Sequence, residues 1–199
     1  MKTSREALLL IALRMFLKKG YELTSMRDLV DASGLSKGAF HHYFPRKADL
    51  LSACIEHFFT RFLPETEPQE YQHFDALVLA CARHYGALMD ELARLDIPLA
   101  AYQRFIWSTI PEYGASFAER QSMLELQLVQ LAEQDLANQC LTSHASAQAL
   151  ATQAMALIEG LGVLQAVNPK TEPSGAAQQL IVACQQWLAD LTRHNVKPE

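Results

Sequence analysis

The chain has 199 residues and a formal net charge of −5, with half its residues apolar and a fifth charged. That length can bury a proper core, and the balance is that of an ordinary globular protein, which excludes a collagen-like repeat or a disordered polyelectrolyte. Four cysteines (Cys54, Cys81, Cys140, Cys184) stand far apart with no CxxC pair, so no disulfide framework is expected and a reducing cytoplasm is the expected setting.

The total charge hides an asymmetry. Residues 1–50 hold nine Lys/Arg against five Asp/Glu, while the remainder holds eight against seventeen. Only the first segment can approach a polyanion favourably, and the rest would be repelled.

In chain order, the apolar run Leu8–Leu13 resembles a secretory h-region, but Arg14 interrupts it and no small-residue cleavage site follows. Thr3-Ser4-Arg5-Glu6 opens it as a capping box, so a helix is expected instead. Leu8, Ile11, Ala12, Met15 and Phe16 recur at three and four residues, and Gly20 ends the pattern. Thr24 or Ser25 caps a second helix that turns Met26, Leu29, Val30 and Ala32 inward. Gly34 supplies a turn requiring positive φ. Ser36 caps a short third helix, Pro45 ends it, and a fourth runs from near Arg46 to about Leu63. Pro64-Glu65-Thr66-Glu67-Pro68 is the clearest loop. Further helices are expected at about 69–94, 97–108, 112–139, 144–167 and 174–194, with Pro98, Pro111, Pro169 and Pro173 at the joints. No strand pattern or fixed-period repeat is present, and no uninterrupted apolar stretch approaches the roughly 20 residues of a membrane span.

The expected fold is therefore all-α, about nine helices in two unequal groups. The boundary falls between residues 1–50 and 51–199. Two helices joined by a short glycine-containing turn are the sequence form of a helix-turn-helix, whose second helix enters the DNA major groove. Gly38 and Ala39 are small enough for close backbone approach to phosphates, and Lys37 lies where it can reach a phosphate or a guanine edge. His41, His42 and Tyr43 follow as donors, and Lys47 lies beside the free N–H groups of the fourth helix. Leu35, Phe40 and Phe44 are the apolar anchors.

These residues carry a resemblance. Thr24-Ser25-Met26, Ala32-Ser33-Gly34-Leu35-Ser36-Lys37-Gly38, Phe40-His41-His42-Tyr43-Phe44 and Pro45-Arg46-Lys47-Ala48-Asp49-Leu50-Leu51 resemble the DNA-binding domain of the TetR family of bacterial transcriptional regulators. The resemblance covers about residues 5–52. It implies a homodimer whose divergent helical C-terminal domain binds a small molecule. Family positions that touch bases fall on Lys37, Gly38 and Ala39, and those that touch phosphate on Thr24, His41, His42, Tyr43 and Lys47, with Ser36 beside them at the helix start. The family usually has Tyr where His41 stands. Histidine titrates near neutrality, which opens a pH-sensitive reading, although a neutral imidazole still donates one hydrogen bond.

Beyond residue 50 the sequence supports class more than detail. Phe59, Phe62, Tyr85, Met89, Tyr102, Gln103, Phe105, Trp107, Phe117, Met155 and Glu159 are the candidate lining of an effector pocket between helices. Such residues at helical spacing equally describe plain core. Leu150, Ala151, Ala154, Ile158, Leu161 and Leu164 recur along one late helix, and Leu180, Ile181, Cys184, Trp187, Leu188 and Leu191 along another. Two such helices from each of two subunits would make a four-helix interface. Cys54/His57, Cys81/His84 and the looser Cys140/His144 have spacings common by chance, and no metal or cofactor is expected from them.

No nucleophile–base constellation, phosphate-binding glycine loop or HExxH motif is present, so an enzyme is not expected. The sequence reads as a ligand-responsive repressor that binds a palindromic DNA operator as a dimer. An all-helical small-molecule-binding protein or enzyme with an incidental helix-turn-helix stays open at this point.

Overall fold

The computed structural model describes residues 4–62, 71–168 and 173–192. Among them eight helices follow in order without a strand: α1 (Arg5–Lys19), α2 (Met26–Ser33), α3 (Lys37–Tyr43), α4 (Lys47–Phe62), α5 (Phe74–Arg94), α6 (Leu99–Ala137), α7 (Ala147–Val167) and α8 (Pro173–Thr192). The first four form a small head and the last four a larger body, in which α5 packs chiefly on α8 and α6 on α7.

Local chemistry sets the ends of the head helices. The Ala7 N–H donates to Ser4 Oγ at 3.2 Å, and Gly20, at φ 92°, closes α1. Ser25 caps α2: its Oγ accepts from the Asp28 N–H at 3.1 Å, and the Asp28 carboxylate accepts from the Ser25 N–H at 3.0 Å. The same bonds hold the Asp28 carboxyl below the usual carboxylate range. Gly34 sits at φ 67°, where a side chain would be strained. Ser36 Oγ accepts from the Ala39 N–H at 3.3 Å and starts α3. Ser25→Ala removes one half of the reciprocal cap, and urea or thermal unfolding should register a loss of about 1 kcal/mol.

Pro111 does not divide the body as the sequence suggests. The segments expected at 97–108 and 112–139 run on as one helix, α6, with Pro111 inside it. Proline deletes one N–H and orphans the carbonyl four residues back, here that of Trp107. Trp107 is 68% exposed, so water can take the place of the missing donor. α7 spans 21 residues and is apolar enough, by length and composition, to cross a membrane. It nonetheless packs against α6 and α8, burying Leu150, Ala151, Ala154 and Ile158.

Among the described residues, two apolar clusters form the interior. One joins Leu8, Phe16, Leu29, Phe40, Phe44 and Leu50 of the head to Leu88, Leu92, Ile97 and Phe105 of the body. The other fills the body around Phe74, Leu77, Leu128, Leu150, Leu180 and Cys184. Tyr85 and Leu99 pack against both. Head and body are further tied by Ser52 Oγ and Tyr113 Oη at 2.7 Å and by the Lys18–Asp96 ion pair at 3.6 Å.

Candidate functional site

The short helix α3 is held from one side and bare on the other. Phe40 is 1% exposed and Phe44 2%, and their rings lie 6.3 Å apart against the head core. Arg5 covers the Phe44 ring at 5.3 Å. Opposite them Ser36, Lys37, Gly38, Ala39, His42 and Tyr43 are all exposed. A Cβ built on Gly38 would meet nothing within 4 Å, so nothing inside the protein requires glycine there. A glycine inside a helix costs about 1 kcal/mol relative to alanine. The space it keeps clear lies outside the fold.

The cations around this face are mostly engaged. Arg46 donates to Asp49 at 3.0 and 2.6 Å, which raises the Arg46 pKa and lowers that of Asp49. Lys19 pairs with Asp28 and Arg27 with Asp31. Lys37 makes no ion pair among the described residues. Its charge is thus available to an outside anion.

Three expected phosphate contacts are placed differently from the sequence reading. Thr24 is fully buried, and its hydroxyl donates to the Gly20 carbonyl at 2.8 Å, so the side chain serves the turn before α2 and not the surface. Lys47 is half-buried, donating to the Tyr21 carbonyl at 3.0 Å while standing 4.1 Å above the Tyr21 ring. Sequence reasoning passed over Tyr21, whose only local signal is an aromatic directly after a helix-ending glycine. His41 is half-buried, and its Nδ1–H donates to the Pro45 carbonyl at 3.2 Å. The neutral ring then offers only a lone pair at Nε2, so a phosphate contact there requires the imidazolium.

Residues 8–54 match the family described as bacterial regulatory proteins, tetR family. Over those residues the chain has the DNA-binding domain of the TetR family. The Escherichia coli (strain K12) transcriptional repressor ComR is 26% identical over 163 residues, covering 80% of this chain and 78% of that protein. A TetR transcription regulator of known structure from Haloarcula marismortui superposes with a TM-score of 0.70 at 14% identity, covering 95% of this chain and 98% of that one. The flavonoid-responsive regulator FrrA superposes with a TM-score of 0.55 at 23% identity, covering 96% and 98%. The protein is accordingly a DNA-binding transcriptional regulator.

In the body the structure brings some of the candidate effector residues together and separates others. Gln103 of α6 donates from Nε2 to Tyr85 Oη of α5 at 3.0 Å. Glu159 of α7 lies close enough to raise the pKa of both Tyr85 and Tyr102, after the larger effect of their burial. Tyr85 is wedged against α7, where a Cβ on Gly162 would fall 2.2 Å from its hydroxyl. Glu159 keeps substantial solvent contact, yet desolvation raises its carboxyl pKa. Because solvent screens the carboxylate, the energetic effect is modest.

The other candidates fall elsewhere. Phe105 is buried in the head–body core, and Phe117 packs on it. Met89 is buried and Met155 half-buried in the second cluster, where Met89 forms the floor of a groove of about 250 Å³ with Leu161, Leu164 and Leu180. Trp107 faces solvent and lines nothing internal. The side chains of Phe59 and Phe62 lie outside the described residues.

Glu159→Gln should reveal the cost of that carboxylate. A carboxyl whose folded pKa lies above its ordinary value of 4.5 makes the fold less stable as pH rises through the unfolded and then the folded pKa. The glutamine variant should therefore unfold at a higher temperature than the parent at neutral pH. The two should converge below the ordinary value, as thermal scans at acid and neutral pH would record.

Proposed function

We propose that two copies of this chain, paired through α7 and α8 in the cytoplasm, bind a pseudo-palindromic operator with their α3 helices and repress transcription until an effector enters the body. The observation that carries the reading is the bare face Lys37-Gly38-Ala39 on a helix whose opposite face is locked into the core. Ser36, His42 and Tyr43 flank that face as further donors, and a protonated His41 would add another. Pairing is supported by Val163, Leu164 and Val167, which α7 exposes at 41%, 66% and 79%. Apolar residues clustered on one helix surface call for a partner, and a second copy satisfies twofold DNA recognition.

As an effector site, the neighbouring Tyr85, Tyr102, Gln103 and Glu159 suit an aromatic or amphipathic small molecule with a hydrogen-bond donor for Glu159. FrrA, described as flavonoid-responsive, responds to a ligand of that general kind. Binding there acts on α5, α6 and α7 together, and α5 and α6 share a core with the head. A change in head spacing of a few ångströms puts the second α3 out of register with its groove. Coupling energies of about 1–3 kcal/mol are enough for such release. The protein works by binding, without chemistry of its own.

The test is a gel shift with DNA from upstream of its own gene at several salt concentrations. Specific, salt-sensitive retardation supports the regulator. Lys37→Ala should weaken it and lower the slope of log affinity against log salt by about one unit for each phosphate left unneutralised. Absence of specific retardation at every salt concentration would favour a helical small-molecule-binding protein.

A further inference from the structure

We propose that His73, Asp135 and Cys140 form a binding site for a thiophilic divalent cation, with Zn²⁺ the best match to the donor set. The proposal is independent of the effector site. One ligand atom from each residue, an imidazole nitrogen, a carboxylate oxygen and a thiol sulfur, lies within 4.8 Å of the other two.

Each donor is brought there by a separate piece of local structure. His73 is the residue before α5 and makes no side-chain cap of its own. Asp135, in the last turns of α6, takes over that duty: its Oδ2 accepts from the Phe74 N–H at 2.8 Å and its Oδ1 from His73 Nδ1 at 3.0 Å. The residue is 2% exposed, so this carboxylate is fixed in direction. Beyond α6 the chain reverses through Gln139, at φ 60°. The Cys140 and Leu141 N–H groups both donate to the Asp135 carbonyl, at 2.8 and 3.2 Å, which returns the thiol to the side of the carboxylate. Leu141 is buried, and Thr142 donates from N and Oγ1 to the Leu191 carbonyl at 2.8 Å, anchoring the turn on α8.

The chemistry fits the geometry. Zinc takes imidazole and carboxylate at about 2.0–2.1 Å and thiolate at about 2.3 Å, which in a tetrahedral shell sets the ligand atoms about 3.3–3.6 Å apart. The His73–Asp135 separation is already close to that. Cys140 and His73 are exposed, so small rotations close the remaining gap without moving backbone. The Phe74 N–H on the second carboxylate oxygen is the outer-shell bond that orients a ligating carboxylate. Binding would release the thiol proton of Cys140 and shift the His73 proton from Nδ1 to Nε2, freeing Nδ1 and Asp135 Oδ1 as ligands and leaving the fourth position to water. The ion would cross-link the start of α5, the end of α6 and the turn into α7.

The test is a Co²⁺ titration of the full chain after chelator treatment, kept reduced with a phosphine. A thiolate-to-metal charge-transfer band should grow, saturate at one ion per chain and be displaced by Zn²⁺. Cys140→Ser should lose the band, and Zn²⁺ affinity should fall by at least about tenfold, while circular dichroism shows parental helicity. His73→Gln should keep the band but weaken binding. No band, a band that does not saturate, or one that survives in Cys140→Ser, where Cys54, Cys81 and Cys184 remain, would overturn the proposal.

Discussion

Gly38→Glu should leave the folded chain at least as stable as the parent and lower its operator affinity by about 100-fold or more. The two effects have opposite sign for one physical reason. A side chain at Gly38 meets nothing inside the protein, so the substitution removes a helix glycine worth about 1 kcal/mol and places a carboxylate in the first turn of α3, where the helix dipole favours it. In the proposed complex the same group would occupy space that the duplex needs and set a negative charge among phosphates, once for each subunit. Thermal unfolding reads the first effect, and fluorescence anisotropy with labelled operator at fixed salt reads the second. A variant that unfolds earlier, or that binds as tightly as the parent, would remove α3 as the reading surface. Gly38→Ala should show the same pattern in milder form.

Gly162→Ala should have the largest effect on the body. The added methyl would stand 2.2 Å from the Tyr85 hydroxyl and 2.6–2.7 Å from its ring, closer than atoms can approach. Tyr85 must withdraw, and Gln103 then loses its acceptor. Overpacking of this kind costs about 1–3 kcal/mol, which for a chain of this size lowers the melting temperature by about 2–10 °C. Effector response should fall with it, because the proposed effector site includes Tyr85. Combining Gly162→Ala with Tyr85→Ala removes the overlap, so the pair should cost less than the sum of the singles by about 1 kcal/mol. Strict additivity would mean that the hydroxyl does not press on α7.

What the sequence could disclose was decided by the range of the interactions. Ser25, Ser36, Gly20 and Gly34 were legible because a cap or a positive-φ turn is settled within a few residues, whereas α1 is capped by Ser4 and not by the Thr3 of the expected Thr3–Glu6 box. Pro111 misled because its local penalty is outweighed by the packing of α6 on α5 and α7. Thr24 and Lys47 sit in a pattern typical of a DNA-facing surface, but which way each side chain turns depends on Gly20 and Tyr21, and no periodicity encodes that. Trp107 and Phe105 are two residues apart with opposite fates, since only the placement of neighbouring helices separates core from surface. The Cys-x-x-His spacings pointed to thiols that are shut away: Cys54 is buried and its pKa is pushed up to about 12, as is that of Cys81. The exposed thiol lies instead beside a His–Asp pair that is 62 residues apart in the chain, a separation local reading cannot bridge.

The interior shared by α1, α4, α5 and α6 has a practical consequence for anyone cutting this chain. Leu88, Leu92, Ile97 and Phe105 close the underside of the DNA-reading unit, so a fragment ending near residue 50 would bare Leu8, Phe16 and Leu50 to water. Such a fragment would be no portable cassette: fused to another protein it would aggregate or melt. Specificity swaps between relatives are better made by grafting surface residues of α3 onto this chassis than by exchanging whole N-terminal segments.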